Sequence, residues 1–290
     1  RQTHHLGKPN ESGYFEVTDG HEGFTVKDYF SLRAYLNQFP GAKLSHAKVI
    51  TSVAMLYDVD DPRQFIGDVA HLLAWPLGVW INQMNFVGPV MRNNAFDFIS
   101  HEHVALWDLP TFAKAVAEAG LEVFDVEELP LNGGTYRVFV GRRGQHAVSP
   151  RVAKYLDSDG EYRSASACWL FRRQVIAQGI HLVTLLRELR EQGKQVFVRG
   201  ASTRGNSLLQ YFNLGVDELP FAADRDERKH GTKMVGTGIP IISEAEAHAM
   251  KPDAFLLLPY SYLDQMRRRD REVFGVESRF IVPLPKAEVL

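Results

Sequence analysis

The chain has 290 residues, and a hydrophobic content of 45% with 23% charged residues is that of a globular protein long enough for two domains. A formal net charge of −2 gives no general attraction to nucleic acid or an anionic membrane, and no apolar run approaches the roughly 20 residues that cross a bilayer. The single cysteine, Cys168, excludes an intramolecular disulfide and a zinc site built mainly on cysteine, so we expect a reducing, cytoplasmic location.

The first half of the sequence predicts an α/β domain, which we place at residues 1–150. Its apolar run at 48–56 is nearly continuous, as is typical of a buried parallel strand. An acidic turn and a helix lead to the next strand, and this βαβ order predicts a parallel sheet with right-handed crossovers. The predicted elements are, in chain order, a loop at 1–22, a short strand and turn at 23–30, a short helix at 31–36, strands at 48–56 and 78–84 around a helix at 63–74, a helix at 109–119, a strand at 121–126, and an edge or antiparallel strand at 135–140.

Three polar side chains, His101, Glu102 and His103, follow the second strand after a short connection. Ligands of parallel sheets lie beyond the carboxyl ends of the strands, so we predict this segment close to the ligand-binding rim. Apolar residues at 96–99 anchor the segment, histidine is suited to moving a proton near neutral pH, and a neighbouring carboxylate can fix its tautomer. The pattern favours a polar loop in a cleft, and two surface histidines beside an exposed glutamate are the alternative.

Two further segments carry glycine-rich turns. Asn132-Gly133-Gly134 predicts a tight hairpin turn, and Arg137 in the strand behind it is a candidate for pointing toward the cleft. In the second half, a strand followed by Gly-Ala-Ser-x-x-Gly at 200–205 and a helix start is the arrangement that directs backbone N–H groups at a phosphate. The pattern is neither a Walker A loop nor a strict dinucleotide fingerprint, so its specificity is low.

The second half predicts a separate α/β domain at residues 151–290. Residues 141–164 are polar and lack hydrophobic periodicity, so we place the domain boundary within them. The elements that follow alternate again between helices and strands. They are a long amphipathic helix at 169–190 and strands at 194–198, 221–224, 239–243, 255–259 and 280–283.

Short motifs spread in order along the chain resemble those of SAM-dependent nucleotide-sugar C-methyltransferases, the enzymes that branch deoxysugars. They extend from about residue 45 to the end of the chain. The matching blocks are 47–52 with 57–58, 96–97 with 101–103, 132–137, 200–209, 236–241, 252–253 and 281–285. Members of that family have a cysteine-rich zinc-binding domain, a central Rossmann domain that binds S-adenosyl-L-methionine (SAM), and a Rossmann-like carboxyl-terminal domain.

The resemblance implies a fold that begins inside the SAM domain. The chain has no cysteine-rich domain, no glycine-rich loop after a first strand, and no acidic residue closing a second strand. We therefore expect α/β architecture, a partial Rossmann-like SAM methyltransferase domain followed by a second Rossmann-like domain, and we assign the zinc to a domain outside this chain. The chain departs from the family pattern at two places: Ser100 replaces a tyrosine, and Tyr260-Ser261 replaces a Trp-Asn pair. The identity of the sugar and of the methylated carbon is therefore not determined by the resemblance.

The resemblance also implies the catalytic residues. Methylating a sugar carbon requires a carbanion, and a keto group on the adjacent carbon makes the proton removable by a base. His103 is the implied base, with Glu102 as its orienting or substrate-binding neighbour. His101 either assists or holds the loop. Developing enolate charge needs donors, for which the candidates are Asn85, Asn94 and Arg137.

The same resemblance places two ligands. SAM is expected on the rim near Thr51, Ser52 and Tyr57, with the acidic residues at 58–61 forming a polar turn. The diphosphate of a nucleotide sugar is expected at the loop after the strand at 194–198. The candidate contacts there are Ser202, Thr203, Arg204, Gly205 and Asn206, helped by Lys229.

Two other classes of function stay open. Because the SAM loop is missing, the chain is alternatively a noncatalytic nucleotide-sugar binding module or an inactive fragment. A metal hydrolase using His101, His103 and Asp97 is the third hypothesis, although no further ligand stands at a convincing spacing, and we predict no metal in this chain. The predicted partner is a nucleotide diphosphate sugar, with neither nucleic acid nor membrane, and the oligomeric state is left open.

Overall fold

The computed structural model describes residues 28–38 and 47–290, and in addition the course of two short strands, β1 (Thr3–His4) and β2 (Gly23–Phe24). These two strands pair in parallel. The prediction of an uninterrupted loop at 1–22 is wrong at Thr3–His4, because a strand of two residues is too short to show alternation. The rest of that loop and part of the turn after β2 lie outside the described residues.

Two compact units interleave along the chain. The first unit comprises Arg1–Pro89, His101–Leu129 and Thr135–Arg163, and the second unit comprises Val90–Ser100, Pro130–Gly134 and Ser164–Leu290. The predicted domains, 1–150 and 151–290, are continuous stretches and stay a prediction. The compact units differ from them because two short segments of the first half pack with the second half.

The first unit contains a sheet of four strands in mixed orientation. Its elements are α1 (Leu32–Gln38), β3 (Val49–Val53), α2 (Pro62–Leu72), β4 (Val79–Met84), the start of α3 (Val87–Arg92), α4 (Leu109–Glu118), β5 (Leu121–Leu129), β6 (Thr135–Arg142) and α5 (Pro150–Glu161). The strand order is β3-β4-β6-β5. β3 and β4 are parallel, which confirms the predicted βαβ unit, and β6 is antiparallel to β4 and β5, which confirms the orientation predicted for 135–140.

Local signals in the sequence explain why these elements form. Along β4, Trp80, Asn82 and Met84 are buried while the residues between them are only partly covered, so one face of the sheet holds the core. Helices α2 and α4 each begin at an aspartate, Asp61 and Asp108, whose side chain accepts a hydrogen bond from the backbone three residues later. A proline in the first turn of each helix supports the same start.

Helix α5 corrects the expectation for residues 141–164, which lack hydrophobic periodicity. Ser149 caps its start and Pro150 occupies the first turn. The helix is held by a fully buried carboxylate, because Asp159 accepts hydrogen bonds from the Tyr136 hydroxyl at 2.8 Å and from the Leu109 amide at 3.2 Å. Apart from Val152, the buried residue of this helix is the polar Asp159, so a search for buried apolar residues does not detect it.

The second unit is a parallel sheet of five strands with one antiparallel strand at its edge. Its elements after α3 are α6 (Ala165–Glu191), β7 (Val196–Arg199), α7 (Thr203–Tyr211), β8 (Ala222–Asp224), β9 (Ile241–Ser243), α8 (Glu244–Ala249), β10 (Ala254–Leu257), α9 (Leu263–Arg269), β11 (Phe280–Val282) and β12 (Glu288–Val289). The strand order is β12-β11-β10-β7-β8-β9. The chain runs outward from β7 to β9 and then returns to β10 on the other side of β7, which is the Rossmann order and confirms the predicted α/β class.

All five predicted strands of this half are present at slightly shorter lengths, and α6 extends the predicted helix at both ends. Its buried positions, Val175, Gly179, Leu182 and Leu186, follow helical spacing. No helix in the described part of the chain is both long and apolar enough to cross a membrane.

Replacing Asp159 by alanine is expected to lower the free energy of unfolding by about 1–3 kcal/mol, because two buried donors then lose their acceptor. Chemical denaturation followed by circular dichroism measures the loss. Asp157→Ala removes an exposed carboxylate from the same helix and is the matched control, with an expected change within about 0.5 kcal/mol. Equal stability of the two variants would contradict the anchoring role of Asp159.

Candidate functional site

At the carboxyl end of β3 the chain turns and brings Tyr57 against His103. Ala54 has a φ of 52°, and a single 3₁₀ turn over Leu56–Asp58 follows it. The buried Tyr57 ring meets the His103 ring edge to face, with 4.4 Å between their centroids. The Ala105 amide donates to the Tyr57 carbonyl at 3.0 Å and fixes the segment just after the histidine. The predicted base and one predicted cofactor residue are therefore in direct contact.

The three members of the polar triplet differ in exposure. His101 and Glu102 are exposed, whereas His103 is half-buried, and the segment lies outside helices and strands. Within the described part of the chain, neither His101 nor Glu102 forms a hydrogen bond, an ion pair or a ring contact. The suggestion that His101 holds the loop is therefore not supported, and Glu102 does not orient His103 by a hydrogen bond in this structure. His103 is the member whose ring is held by packing.

Ser52 corrects the predicted cofactor site. The residue is 3% exposed, and its hydroxyl donates to Asn82 Oδ1 at 2.8 Å and accepts from Trp80 Nε1 at 2.9 Å. Both interactions belong to the core of the first unit, so the side chain is not available to a ligand. Thr51 lies beside it with its side chain exposed and stays a candidate.

A cleft of about 320 Å³ opens beside the turn after β3. Its walls combine aromatic and apolar side chains with carboxylates, and include Tyr29, Phe30, Met55, Asp58, Asp60 and Asp61. Aromatic surfaces suit a flat base, and carboxylates suit a positive charge. The acidic turn predicted at 58–61 therefore has two roles, since it forms a wall of this cleft and also supplies the cap of α2.

Of the residues predicted to stabilise enolate charge, Arg137 is already paired on the sheet. Its Nε and Nη2 donate to Gln83 Oε1 at 3.1 and 3.0 Å, and its Nη1 lies 3.6 Å from Glu127 Oε2. The three residues stand opposite one another on β4, β6 and β5. Asn85, directly after β4, is buried. An interaction of Arg137 with substrate would compete with its two cross-strand partners.

The second unit contains an ion pair between Asp97 and Arg204. Arg204 Nη2 lies 2.9 Å from Asp97 Oδ2, and the Asp97 side chain is only 2% exposed. The Tyr260 hydroxyl donates to Asp97 Oδ1 at 3.1 Å, and Arg204 Nη1 donates to the Asn132 carbonyl at 2.9 Å. Burial raises the pKa of the Tyr260 phenol, so its hydroxyl stays protonated and continues to donate. Arg204 is thus committed to Asp97, contrary to its predicted role as a diphosphate ligand.

The turn predicted at 132–134 does connect two antiparallel strands, and it is also bound within the second unit. The Gly133 amide donates to Ser261 Oγ at 3.0 Å, and its carbonyl accepts from Asn93 Nδ2 at 3.0 Å. Gly133 has a φ of 82°, and a Cβ there would lie 2.8 Å from the Tyr260 hydroxyl. Glycine is therefore required both by the backbone conformation and by close packing.

The predicted phosphate loop has the expected strand, loop and helix, but part of its hydrogen bonding is internal. Ser202 caps α7 by accepting from the Gly205 amide at 3.1 Å, and the Ala201 amide donates to Asp224 Oδ2 at 2.7 Å. A Cβ on Gly205 would lie 2.5 Å from Leu258 Cδ1. Glycine is therefore required at this position by packing against Leu258.

Three other predicted substrate contacts lie in the second unit. Asn94 stands in a turn with a φ of 50°, Thr203 is exposed at the start of α7, and Asn206 lies one turn further along that helix. The side-chain oxygens of Asn94 and Asn206 are buried and have no hydrogen-bond partner among the described residues. Buried amide oxygens of this kind accept hydrogen bonds from a ligand or from water. Both asparagines stay candidates.

The metal-hydrolase hypothesis finds no ligand set in the described residues. No group of three or more histidine, cysteine, aspartate or glutamate side chains there is arranged to hold a metal ion. Asp97, the carboxylate that this hypothesis requires, is paired with Arg204.

A Rossmann-like second sheet and a first sheet with a parallel βαβ unit define an α/β protein. The chain belongs to the C-methyltransferase family, because the model for the C-methyltransferase carboxyl-terminal domain matches residues 130–285, more than half of its length. The C-methyltransferase NovU of Streptomyces niveus is a similar protein, 31% identical over 238 residues that cover 80% of this chain and 56% of NovU. The chain therefore spans little more than half the length of that relative.

Two solved structures show limited similarity. One is a complex of the Haloferax volcanii Trm112 methyltransferase activator with a methyltransferase, at 17% identity and a TM-score of 0.29 over 35% of this chain and 56% of that chain. The other is the CurJ carbon methyltransferase, at 16% identity and a TM-score of 0.26 over 38% of each chain. These scores are too low to support any conclusion about function.

Removing either partner of the Asp97–Arg204 pair is expected to lower the free energy of unfolding by about 3–5 kcal/mol, because the charge of the remaining partner is then uncompensated. Denaturant unfolding of Asp97→Asn, Arg204→Gln and the double variant gives the coupling free energy, for which we expect about 1–3 kcal/mol.

Arg187→Gln is the control for this cycle, because its guanidinium is largely exposed and 4.0 Å from Glu218. It should change stability by less than about 0.5 kcal/mol. Additive effects of Asp97→Asn and Arg204→Gln would mean that the two side chains act independently.

Proposed function

We propose that this chain takes part in SAM-dependent C-methylation of a carbon next to a keto group of a nucleotide-linked deoxysugar. The observation that carries the proposal is the contact between the His103 ring and the ring of Tyr57, which lies in the turn after β3. Family membership supports methyl transfer to carbon. The similar protein NovU is a C-methyltransferase, which supports the same reaction class.

In the proposed reaction His103 is the base. A neutral imidazole nitrogen accepts the proton from the sugar carbon, and the electron pair moves onto the keto oxygen as an enolate. The ring is suited to this task because it is half-buried and packed against Tyr57, which limits its orientations. Glu102 has no partner in the described residues, so its carboxylate is available to the substrate rather than to His103.

The enolate oxygen requires hydrogen-bond donors that are already in position. Asn85 is our first candidate, because it is buried directly after β4 at the rim of the parallel pair. Arg137 is the second, although its contacts with Gln83 and Glu127 hold it on the sheet. Asn94 stays a proposed contact through its buried side-chain oxygen, which accepts rather than donates and so suits a sugar hydroxyl.

The first unit also has residues that fit SAM. They line the cleft beside Tyr57. Tyr29 and Phe30 provide aromatic surface for the adenine, and Asp58 and Asp60 provide negative charge for the sulfonium. When bound, SAM supplies an electrophilic methyl group. Thr51 is retained as a contact, whereas Ser52 is excluded by its burial.

A noncatalytic nucleotide-sugar binding module is the second candidate, and two observations favour it. The chain covers only 56% of NovU. In the described part of the chain β3 is an edge strand, and its Val49 and Val53 side chains are 57% and 59% exposed. Parallel strands are normally covered on both faces, so this sheet is suited to receiving further structure before it binds SAM. The zinc assigned to another domain and the cytoplasmic location stay predictions.

Calorimetry separates the two candidates. Titration of SAM and of a nucleotide diphosphate sugar into this chain, and into the longer gene product if the gene encodes one, reports both sites independently. Binding of both ligands with methyl transfer supports the enzyme. Binding of the nucleotide sugar alone, in every form of the protein, supports the binding module.

In the form of the protein that transfers methyl groups, His103→Asn is expected to lower kcat by about 10²–10⁴-fold, the usual contribution of a positioned base. The dissociation constants of substrate and SAM should change little, because proton transfer is felt mainly in the transition state. His101→Asn makes the same chemical change at an exposed position two residues away and should retain most of the turnover.

Deuterium incorporation at the substrate carbon, followed by NMR without SAM, tests proton removal directly. It should be lost in His103→Asn and retained in His101→Asn. Full turnover of His103→Asn would remove His103 from the mechanism.

A further inference from the structure

Three parts of the first unit line the cleft of about 320 Å³ beside the turn after β3. That turn and α2 supply carboxylates and apolar side chains, and the segment before α1 supplies an aromatic wall, Tyr29 and Phe30. The aromatic wall lies outside helices and strands. Its position therefore depends on the contacts that the segment at 28–32 makes with the rest of the unit.

One buried carboxylate joins this segment to α2. Asp68 is 4% exposed, and its Oδ2 accepts a hydrogen bond from the amide of Leu32, the first residue of α1, at 2.9 Å. Its Oδ1 accepts from Gln64 Nε2 at 2.7 Å, one turn earlier on α2. A buried carboxylate is strongly unfavourable without such donors. Both oxygens of Asp68 are engaged within the protein, so the side chain acts on the segment rather than on a ligand.

Two further interactions fix the aromatic wall next to this anchor. Ser31 caps α1, because its hydroxyl accepts a hydrogen bond at 3.0 Å from the backbone amide three residues later. The Phe30 ring packs against Phe65 with 4.7 Å between the ring centroids. Phe65 in turn lies 6.1 Å from the ring of the fully buried Trp80. Phe30 therefore connects the wall to the core of the sheet, and Asp68 fixes the backbone two residues later.

Tyr29 is the ring of the wall that is left for a ligand. Its side chain is 79% exposed and makes no ring contact with another described residue, whereas Phe30 is engaged with Phe65. Among the described residues that line the cleft, four are aspartates and none is basic, which suits a cation that carries a flat ring. An exposed ring without packing keeps its direction only if its backbone is held, and the hydrogen bond from Leu32 to Asp68 holds it.

We propose that Asp68 is a positioning residue of this cleft, which holds the segment at 28–32 so that the Tyr29 ring stacks on the aromatic base of the bound ligand. The inference rests on the proposed function for the identity of that ligand as SAM, whereas the role of Asp68 follows from its own contacts. A ring that is already in place loses less conformational freedom on binding. Asp68 therefore sets the affinity for SAM and leaves proton removal by His103 unchanged.

Calorimetric titration with SAM and with adenosine tests the proposal, on this chain and on the longer gene product if the gene encodes one. Asp68→Ala should weaken binding of both probes by about tenfold, or roughly 1.4 kcal/mol, because the ring is no longer held. Asp68→Asn should stay within about threefold of the wild type, since its oxygen still accepts from Leu32 and its NH₂ donates to Gln64 once the Gln64 amide turns over. Asp157→Ala removes an exposed carboxylate from α5, outside the cleft, and should leave the dissociation constants unchanged.

The variant Tyr29→Leu separates positioning from a general loss of structure. In that background Asp68→Ala should weaken SAM binding by less than about threefold further, because its effect acts through the missing ring. In the form of the protein that transfers methyl groups, Asp68→Ala should raise the KM for SAM about tenfold and change kcat by less than about threefold. Hydrogen exchange followed by mass spectrometry should show faster deuterium uptake at 28–38 in Asp68→Ala and wild-type uptake in Asp68→Asn.

Thermal unfolding verifies that the variants are folded. If Asp68→Ala does not fold, Leu32→Pro removes the same hydrogen bond from the other side, at the first helical position, where proline is tolerated. An unchanged dissociation constant for SAM in the folded variant would overturn the proposal. It would also be overturned by Asp68→Asn binding as weakly as Asp68→Ala, by a tenfold loss that persists in Tyr29→Leu, or by a wild-type protein that binds neither probe.

The outcome is separate from that of methyl transfer. SAM binding that depends on Asp68, in a protein without methyltransferase activity, supports the role of Asp68 and refutes the proposed function. Methylation with a KM for SAM that does not depend on Asp68 refutes the role of Asp68 alone.

Discussion

The ion pair between Asp97 and Arg204 is the interaction on which the arrangement of the second unit depends. Asp97 is almost completely buried, and a buried carboxylate is tolerated only when its charge and its lone pairs are satisfied. Arg204 supplies the charge, and the Tyr260 hydroxyl supplies a further donor. Because Arg204 also binds the Asn132 carbonyl, this one guanidinium joins the segments at 90–100 and 130–134 to the first helix of the Rossmann-like sheet.

Several motifs that are far apart in the sequence therefore form one structural assembly. Hydrogen bonds and close packing in the second unit join four of these motifs, namely Phe96-Asp97, Asn132-Gly133, Arg204 and Tyr260-Ser261. Tyr260 and Ser261, which differ from the pair that the resemblance implies, both have defined partners, in Asp97 and in the Gly133 amide. Motifs of this kind mark positions needed to build the protein as much as positions that touch its ligands.

The charged residues divide into those that hold the fold and those that remain accessible. Arg199, Arg204 and Arg137 are engaged by neighbouring carboxylates or amides. Arg225 and Glu102 are exposed and lack partners in the described residues. A paired side chain that binds a ligand loses the free energy of its existing interaction. An unpaired side chain loses mainly conformational entropy when it becomes ordered on the ligand.

The sequence by itself determined the α/β class and the parallel strands, because continuous apolar runs and glycines at turns act over a few residues. It also identified His103 and the loop at 200–205 as sites of interest. Only the tertiary structure decided that Arg204 pairs with Asp97, that Ser52 lies in the core, and that a polar anchor fixes α5. Such pairings join residues as distant as 163 positions, as for Asp97 and Tyr260, and proximity of that kind leaves no local pattern in the sequence.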